Sequence, residues 1–431
     1  MNLATDTEHI LRTHRLPGLE GTLPAEFVLP HYGGHSITNL PATVARLLGV
    51  ELTDAAPPLP AHLWADLATG VRSVVTVTLD AVGYLHLRRL LDAGDPGLHR
   101  LSQASRLIPL TSIFPSTTVA ALTTLWTGQA PLGHGFIGTR LLLPEHGMLA
   151  NMLQLGPAIH RQSGALLDWG WVPEEFVTVP GLGQQLADRG IETVAHTHLP
   201  FLGGGLVRIF MRGMDEVRGH VDFSDMAINL RHALLQRSDR PLFVSAYWGG
   251  LDGTAHVYGP DGEQFRVALR HVMRSLEEDL LAPLPAAARE GTLLVISADH
   301  GQISTPPERV VQLSDHPVLR RMLLLPPAGE PRASYLYIRP GQAKSVRAYV
   351  TEHLADRFIV VEMEQALAAG LFGPGEPAPE VRARLGDLLL LATGDSRLLV
   401  KDEPVPFHGH HGSLTPEEML VPLLMVRLDG W

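Results

Sequence analysis

Three stretches of the chain run into residues able to hold a divalent cation, and a fourth presents a hydroxyl where a helix can begin. SVVTVTLD closes on Asp80, PLFVSAYWG leads into GLDGTAHVYG with Asp252 and His256, and TLLVISADH closes on Asp299 and His300. Carboxylate oxygen and imidazole nitrogen suit zinc or manganese. The four-residue spacing of Asp252 and His256 puts both on one face if a helical turn starts there. Each has an ordinary explanation when taken alone: a loop for Asp252 and His256, a cap for Asp299, a satisfied core position for His300.

The fourth stretch, FPSTTVAALTTLWTG (residues 114–128), sets a turn-forming PST ahead of an apolar run compatible with a helix. Thr118 then stands at a helix N-terminus, where free N–H groups and the positive dipole end stabilise a phosphoryl anion and an attacking alkoxide. It reads as a metal-activated nucleophile; alternatively Ser116, Thr117 or Thr118 is an N-cap. Near the C-terminus, HGHHGSLTPEEMLVPL carries His408, His410 and His411. His411 is the favoured ligand because Gly412 follows it, and glycine lets the backbone come close to a metal centre. Asp80, Asp252, Asp299, His256, His300 and His411, with the Thr118 hydroxyl, are about what two divalent ions need while leaving positions open for substrate oxygens.

Such residues, far apart in sequence, meet only if the strands before them lie side by side. The three runs are rich in Val, Ile and Leu and alternate with helix-patterned segments, which predicts an α/β fold with a doubly wound, mostly parallel sheet. Ligands of such sheets bind at the carboxyl ends of the strands, where these side chains stand. Residues 1–70, rich in proline and glycine, read as an N-terminal arm with a short helix at LPATVARLLGV. Residues 71–301 read as the catalytic domain, with an insertion at about 155–225, and 408–431 as its final return. Residues 302–407, with SYLYIRP, AKSVRAYVTEHLAD and RFIVVEME, read as an inserted α+β lid. Trp169, Trp171 and Phe201 in the first insertion could stack on an aromatic group or form a small core.

The net charge of −11 gives no electrostatic footprint for nucleic-acid polymers or membrane surfaces. There is no cysteine, which removes thiolate ligands and cysteine nucleophiles. The amino terminus does not read as a secretory signal, and no stretch has 18 uninterrupted apolar residues, so a soluble, cytoplasmic protein is expected. Oligomeric state is open.

The order of these motifs resembles the alkaline phosphatase superfamily: strand-Asp80, Thr118 nine residues before Thr127-Gly128, Asp252 and His256, Asp299-His300, then a late His411-Gly412. Within the superfamily it is most similar to the nucleotide pyrophosphatase/phosphodiesterase branch, over roughly 70–300 and 405–431. The resemblance implies one zinc held by Asp252, His256 and His411 and another by Asp80, Asp299 and His300. Thr118 would then attack phosphorus in line and form a phosphothreonine intermediate on a small phosphate ester. The branch usually places an asparagine on a phosphoryl oxygen after the nucleophile helix. Here HGFIGTR has Thr139 at that point, with Arg140 next to it, which bears on diester specificity. A sulfatase needs cysteine or serine where Thr118 stands. A phosphomonoesterase, a phosphonate hydrolase, a phosphosugar mutase and a silent ligand-binding protein are the remaining alternatives; the last is disfavoured by the intact ligand set.

Overall fold

The computed structural model describes residues 3–94, 96–159, 162–400 and 407–431. Its central sheet has seven strands: β1 (Ser73–Leu79), β2 (Arg106–Thr111), β3 (Glu192–His198), β4 (Glu216–His220), β5 (Leu242–Trp248), β6 (Thr292–Ser297) and β7 (Leu420–Arg427). They lie in the order β2-β7-β6-β1-β5-β3-β4. Strands β6, β1, β5, β3 and β4 pair in parallel, and β7 runs antiparallel to both β6 and β2. The three runs singled out in the sequence are β1, β5 and β6, three neighbours at the centre of the sheet. All of β6 and seven of the eight residues of β7 are buried, as expected for strands covered on both faces. Because β6, β1 and β5 are parallel, their carboxyl ends share one edge, and the candidate site lies there.

A second sheet, antiparallel, takes strands 358–362, 388–392, 333–336, 328–330, 140–143, 148–151 and 156–157 in that order. Four of them come from the 302–407 segment and three from just after the helix Thr118–Thr127, joined where Gly329 pairs with Arg140. The second sheet meets the turn before β7 of the central sheet through Arg332 and Glu418, both fully buried, with Arg332 Nε 2.7 Å and Nη2 2.9 Å from the two Glu418 oxygens. Residues 401–406, part of the proposed lid, lie outside the described residues. Among the described residues no helix is long and apolar enough to cross a membrane.

The proline- and glycine-rich N-terminal stretch is built into the core: Leu11, Phe27, Val28 and Ile37 are buried, and the Val28 N–H donates to Leu414 O at 2.9 Å. The predicted short helix is Leu40–Leu47. Ring contacts run from His14 to His31 at 4.3 Å and from His31 to His35 at 4.8 Å between centroids. Burial, followed by the His31 charge, pushes His14 and His35 down to about 4; Arg15 and His62 add repulsion. The folded state therefore resists protonation that the unfolded chain accepts at 6.5. This contribution to stability is complete above that value and is lost as pH falls toward about 4. A His35→Phe variant is expected to show a smaller fall in Tm between pH 7 and pH 4 than the parent protein. Equal slopes would dismiss the effect.

Candidate active site

Helix α1 (Thr118–Thr127) begins at Thr118, the candidate nucleophile. Thr117 occupies the N-cap position in extended conformation, and its side chain makes no capping hydrogen bond. The nearby hydroxyls have other partners: Ser116 Oγ donates to Ser413 O at 2.9 Å, and Thr117 Oγ1 lies 3.0 Å from Thr139 Oγ1. The capping alternative thus does not describe these residues, and the first N–H groups of the helix are left without intrahelical acceptors.

Thr118 Oγ1 is 3.1 Å from His300 Nε2. Asp80 follows β1 directly, and the Asp299-His300 pair follows β6 after Ala298. Asp252 and His256 sit on α2 (Gly250–Tyr258), which begins just past β5, so the one-face spacing is realised and His256 Nε2 is 3.3 Å from Asp252 Oδ1. His411 Nε2 is 3.9 Å from the same oxygen. His300 Nε2 is 3.5 Å from Asp80 Oδ1 and 3.4 Å from Asp299 Oδ2. The rings of His300 and His411 stack with centroids 3.8 Å apart.

Potential ligand atoms gather into two groups, Asp252–His256–His411 and Asp80–Asp252–His300, each within 4.8 Å of one another. The first is the set that the resemblance implies. In the second Asp252 stands where Asp299 was expected, so one carboxylate faces both groups. Asp299 Oδ1 accepts the N–H groups of Ala81 at 3.2 Å and His300 at 2.9 Å, and its buried Oδ2 has no hydrogen-bond partner.

The donor set fits divalent cations on three counts. All three histidines turn Nδ1 to a backbone carbonyl: His256 to Gly409 at 2.7 Å, His300 to Gly301 at 3.0 Å, His411 to Ser116 at 2.9 Å. A carbonyl can only accept, so each Nδ1 carries the proton and each Nε2 offers a lone pair inward, the usual orientation of ligating imidazoles. Second, Asp80 Oδ1 and Asp299 Oδ2 are buried without hydrogen-bond partners. Third, among the described residues the ion-pair contacts of Asp80, Asp252 and Asp299 are all with histidine, none with Lys or Arg. Burial raises Asp80 well above the usual carboxylate range, with the charges of Asp299 and Asp252 adding to it, and burial raises Asp299 as well. Burial, then the neighbouring His300 and His256, lowers His411 well below the ordinary imidazole value. A space that disfavours the anionic carboxylates of Asp80 and Asp299 and the protonated imidazole of His411 is one in which an external cation relieves the strain.

Several supporting residues gave no signal in the sequence reading. Tyr247 Oη donates to Asp80 Oδ2, and Gln302 Nε2 donates to Asp252 Oδ1. Glu418 accepts the Ser413 N–H at 2.9 Å and the Thr415 hydroxyl at 2.8 Å, fixing the loop behind His411. Gly412 has a different reason from the one expected: it adopts φ +119°, and a Cβ there would come within 2.6 Å of Glu330 Cβ. His408 is exposed, and His410 is buried with Nδ1 2.7 Å from Thr305 Oγ1.

Beside Thr118, Asp80 and Asp252 opens a cavity of about 700 Å³. Phe201 lines it, whereas Trp169 is exposed and Trp171 packs on Phe176 at 5.4 Å. Thr139 and Arg140 do not line it. The Thr139 N–H donates to Glu330 Oε1 at 2.6 Å, so this residue braces Thr117 from behind; Arg140 begins a strand of the second sheet.

The sequence model of the type I phosphodiesterase/nucleotide pyrophosphatase family matches residues 74–414. The chain belongs to this family. It is therefore a member of the alkaline phosphatase superfamily and a hydrolase acting on phosphate esters. No curated protein sequence matches it. Among solved structures it is similar to murine ectonucleotide pyrophosphatase/phosphodiesterase 5, at 16% identity and TM-score 0.62 over 81% of this chain and 87% of that one. An inactive variant of the murine protein in complex with AMP gives the same coverage, identity and TM-score. The human counterpart, at 16% identity, gives 0.61 with the same coverage. At that identity the likeness speaks for the fold, including the seven-stranded sheet flanked by helices.

Proposed function

We propose that the protein is a phosphodiesterase that works with two divalent cations and a phosphothreonine intermediate at Thr118. The observation that carries this reading is the placement of Thr118 Oγ1 3.1 Å from His300 Nε2, at a helix N-terminus and beside the two donor groups. Asp252, His256 and His411 would hold one cation; Asp80, His300 and Asp299 would hold the other, with Asp252 in reach of both. Zinc suits these donors, with manganese as the alternative, and bound there the ions supply Lewis acidity for the hydroxyl and for the phosphoryl oxygens. The N–H groups at the start of α1 offer hydrogen bonds to the phosphoryl oxygens, and the helix dipole adds to them. The Thr118 hydroxyl attacks phosphorus in line, the ester bond to the leaving alcohol breaks, and water later frees Thr118 from the phosphoryl group. The AMP held by the murine variant makes nucleotide esters one class of substrate to test.

The test is hydrolysis of bis-p-nitrophenyl phosphate against p-nitrophenyl phosphate, after chelation and after restoring zinc or manganese. Metal-dependent cleavage favouring the diester supports the reading. Preference for the monoester turns it into a phosphatase, and no turnover with any metal overturns it.

Two further expectations concern the ligand shell. Tyr247→Phe removes the donor to Asp80 and is expected to weaken divalent-cation binding by about tenfold, as loss of an outer-shell partner does. Calorimetric titration with zinc reads this, and unchanged affinity would leave Tyr247 without that role. Asp252→Ala is expected to lower metal content at both positions and activity by at least about 100-fold. His256→Ala should empty only one; elemental analysis distinguishes the two patterns.

A further inference from the structure

The cavity beside Thr118 is walled by apolar side chains from distant parts of the chain. Leu122 and Trp126 stand one and two turns along α1 from Thr118; Leu206 and Phe210 come from the short helix Gly205–Phe210; Phe201 and Trp248 complete the ring. Asp80 and Asp252, both in the candidate metal centre, are its only carboxylates among the described residues; Thr78, Gln154, Thr197, His198 and Ser245 add polar groups, no Lys or Arg lines it, and the apolar surface exceeds the polar. Arg208, on the helix Gly205–Phe210, and Arg212, just after it, are committed elsewhere. Arg208 makes a two-pronged contact with Glu174 at 2.8 and 2.8 Å, and Arg212 donates to the carbonyls of Glu174, Val177 and Val179 at 3.3, 3.1 and 2.7 Å. A substrate with a second phosphate would meet no guanidinium or ammonium in this wall, whereas an uncharged apolar group would be matched by it.

We infer that the cavity takes an apolar substituent retained on phosphorus, so that the preferred substrates are phosphodiesters of a long-chain alcohol. This rests on the phosphodiesterase reading above. Leu122 and Trp126 of the wall are on the nucleophile's own helix, and in-line attack expels the leaving alcohol on the far side of phosphorus from Thr118. In the step, the Thr118 oxygen bonds to phosphorus as the bond to the leaving oxygen breaks, and the hydroxyl proton leaves with that alcohol. The alkyl group remains in the cavity until water, by the same exchange, releases the alkyl phosphate.

The experiment uses the metal-loaded full chain and methyl, butyl and octyl p-nitrophenyl phosphates, with thymidine 5′-p-nitrophenyl phosphate for comparison. Expected is a rise in kcat/KM of about threefold per methylene until the cavity is filled, with the octyl ester preferred over the thymidine ester. Phe210→Ala is expected to reduce the octyl-to-methyl ratio. Occupancy is also read without turnover: Trp126 and Trp248 line the wall, and octylphosphonate should change tryptophan emission at concentrations at least tenfold below methylphosphonate. Turnover with a flat chain-length series, or a preference for the thymidine ester, overturns the inference and leaves the hydrolase reading intact. Inert esters together with chain-length-selective binding overturn the hydrolase reading and support the cavity assignment.

Discussion

Replacing Thr118 with alanine is expected to lower kcat by at least about 10³-fold, because loss of a covalent nucleophile leaves only binding and electrostatic stabilisation to act. The fold should tolerate the change. Thr118 is the first residue of α1, its hydroxyl makes no cap, and its hydrogen-bond partner is His300. Alanine is a better helix former than threonine, which offsets the lost contact, and stability is expected to stay within about 1 kcal/mol. The measurement is kcat on bis-p-nitrophenyl phosphate beside a thermal melt and a zinc titration. A variant that binds zinc, melts normally and retains more than about a tenth of the activity would rule out Thr118 as the nucleophile. Thr118→Ser keeps the hydroxyl and should retain far more activity than the alanine variant.

Glu418→Ala is expected to destabilise the protein by about 3–5 kcal/mol, the usual consequence of leaving one member of a buried ion pair uncompensated. Arg332 is fully buried and would keep only its carbonyl acceptors, Gly394 O at 2.8 Å and Ser396 O. Glu418 also holds the Ser413 N–H and the Thr415 hydroxyl, so the loop carrying His411 loses its support. Cation affinity should therefore fall together with stability. Denaturant unfolding and zinc titration read the two effects. A double replacement, Arg332→Met with Glu418→Leu, removes both charges and should recover much of the stability. It should not recover the zinc affinity, because the backbone and hydroxyl partners of Glu418 remain lost. A single Glu418→Ala variant as stable as the parent would show that the pair does not hold the two sheets together.

The sequence by itself determined which candidate residues come together and the edge on which they meet. Asp80 and the Asp299-His300 pair follow strands whose apolar character was plain in their Val, Leu and Ile content, and polar residues at the ends of buried parallel strands have one place to go. The spacing of Asp252 and His256 carried their shared helix face, because helical geometry is local and four residues make about one turn. Thr118 was legible for the same reason, since helix starts are written in adjacent residues.

What only the tertiary structure decided are pairings between residues remote in sequence. Asp252 reaches toward both donor groups because β5 lies next to β1 and the His411 loop crosses over α2. Tyr247 meets Asp80 across two paired strands, 167 positions apart in the chain, and Gln302 meets Asp252 at 50. The choice among His408, His410 and His411 turned on which ring faces the centre, which three neighbouring histidines cannot announce. Thr139 turned toward Thr117 and Glu330 because the strand after it joined the second sheet. Gly412 is required by Glu330, a residue 82 positions away whose approach no local pattern encodes. The apolar cavity is likewise a property of assembly. Leu206, Phe210 and Phe201 come from short elements with no readable periodicity, and only packing against the face of α1 makes them one wall with Leu122 and Trp126 beside Thr118.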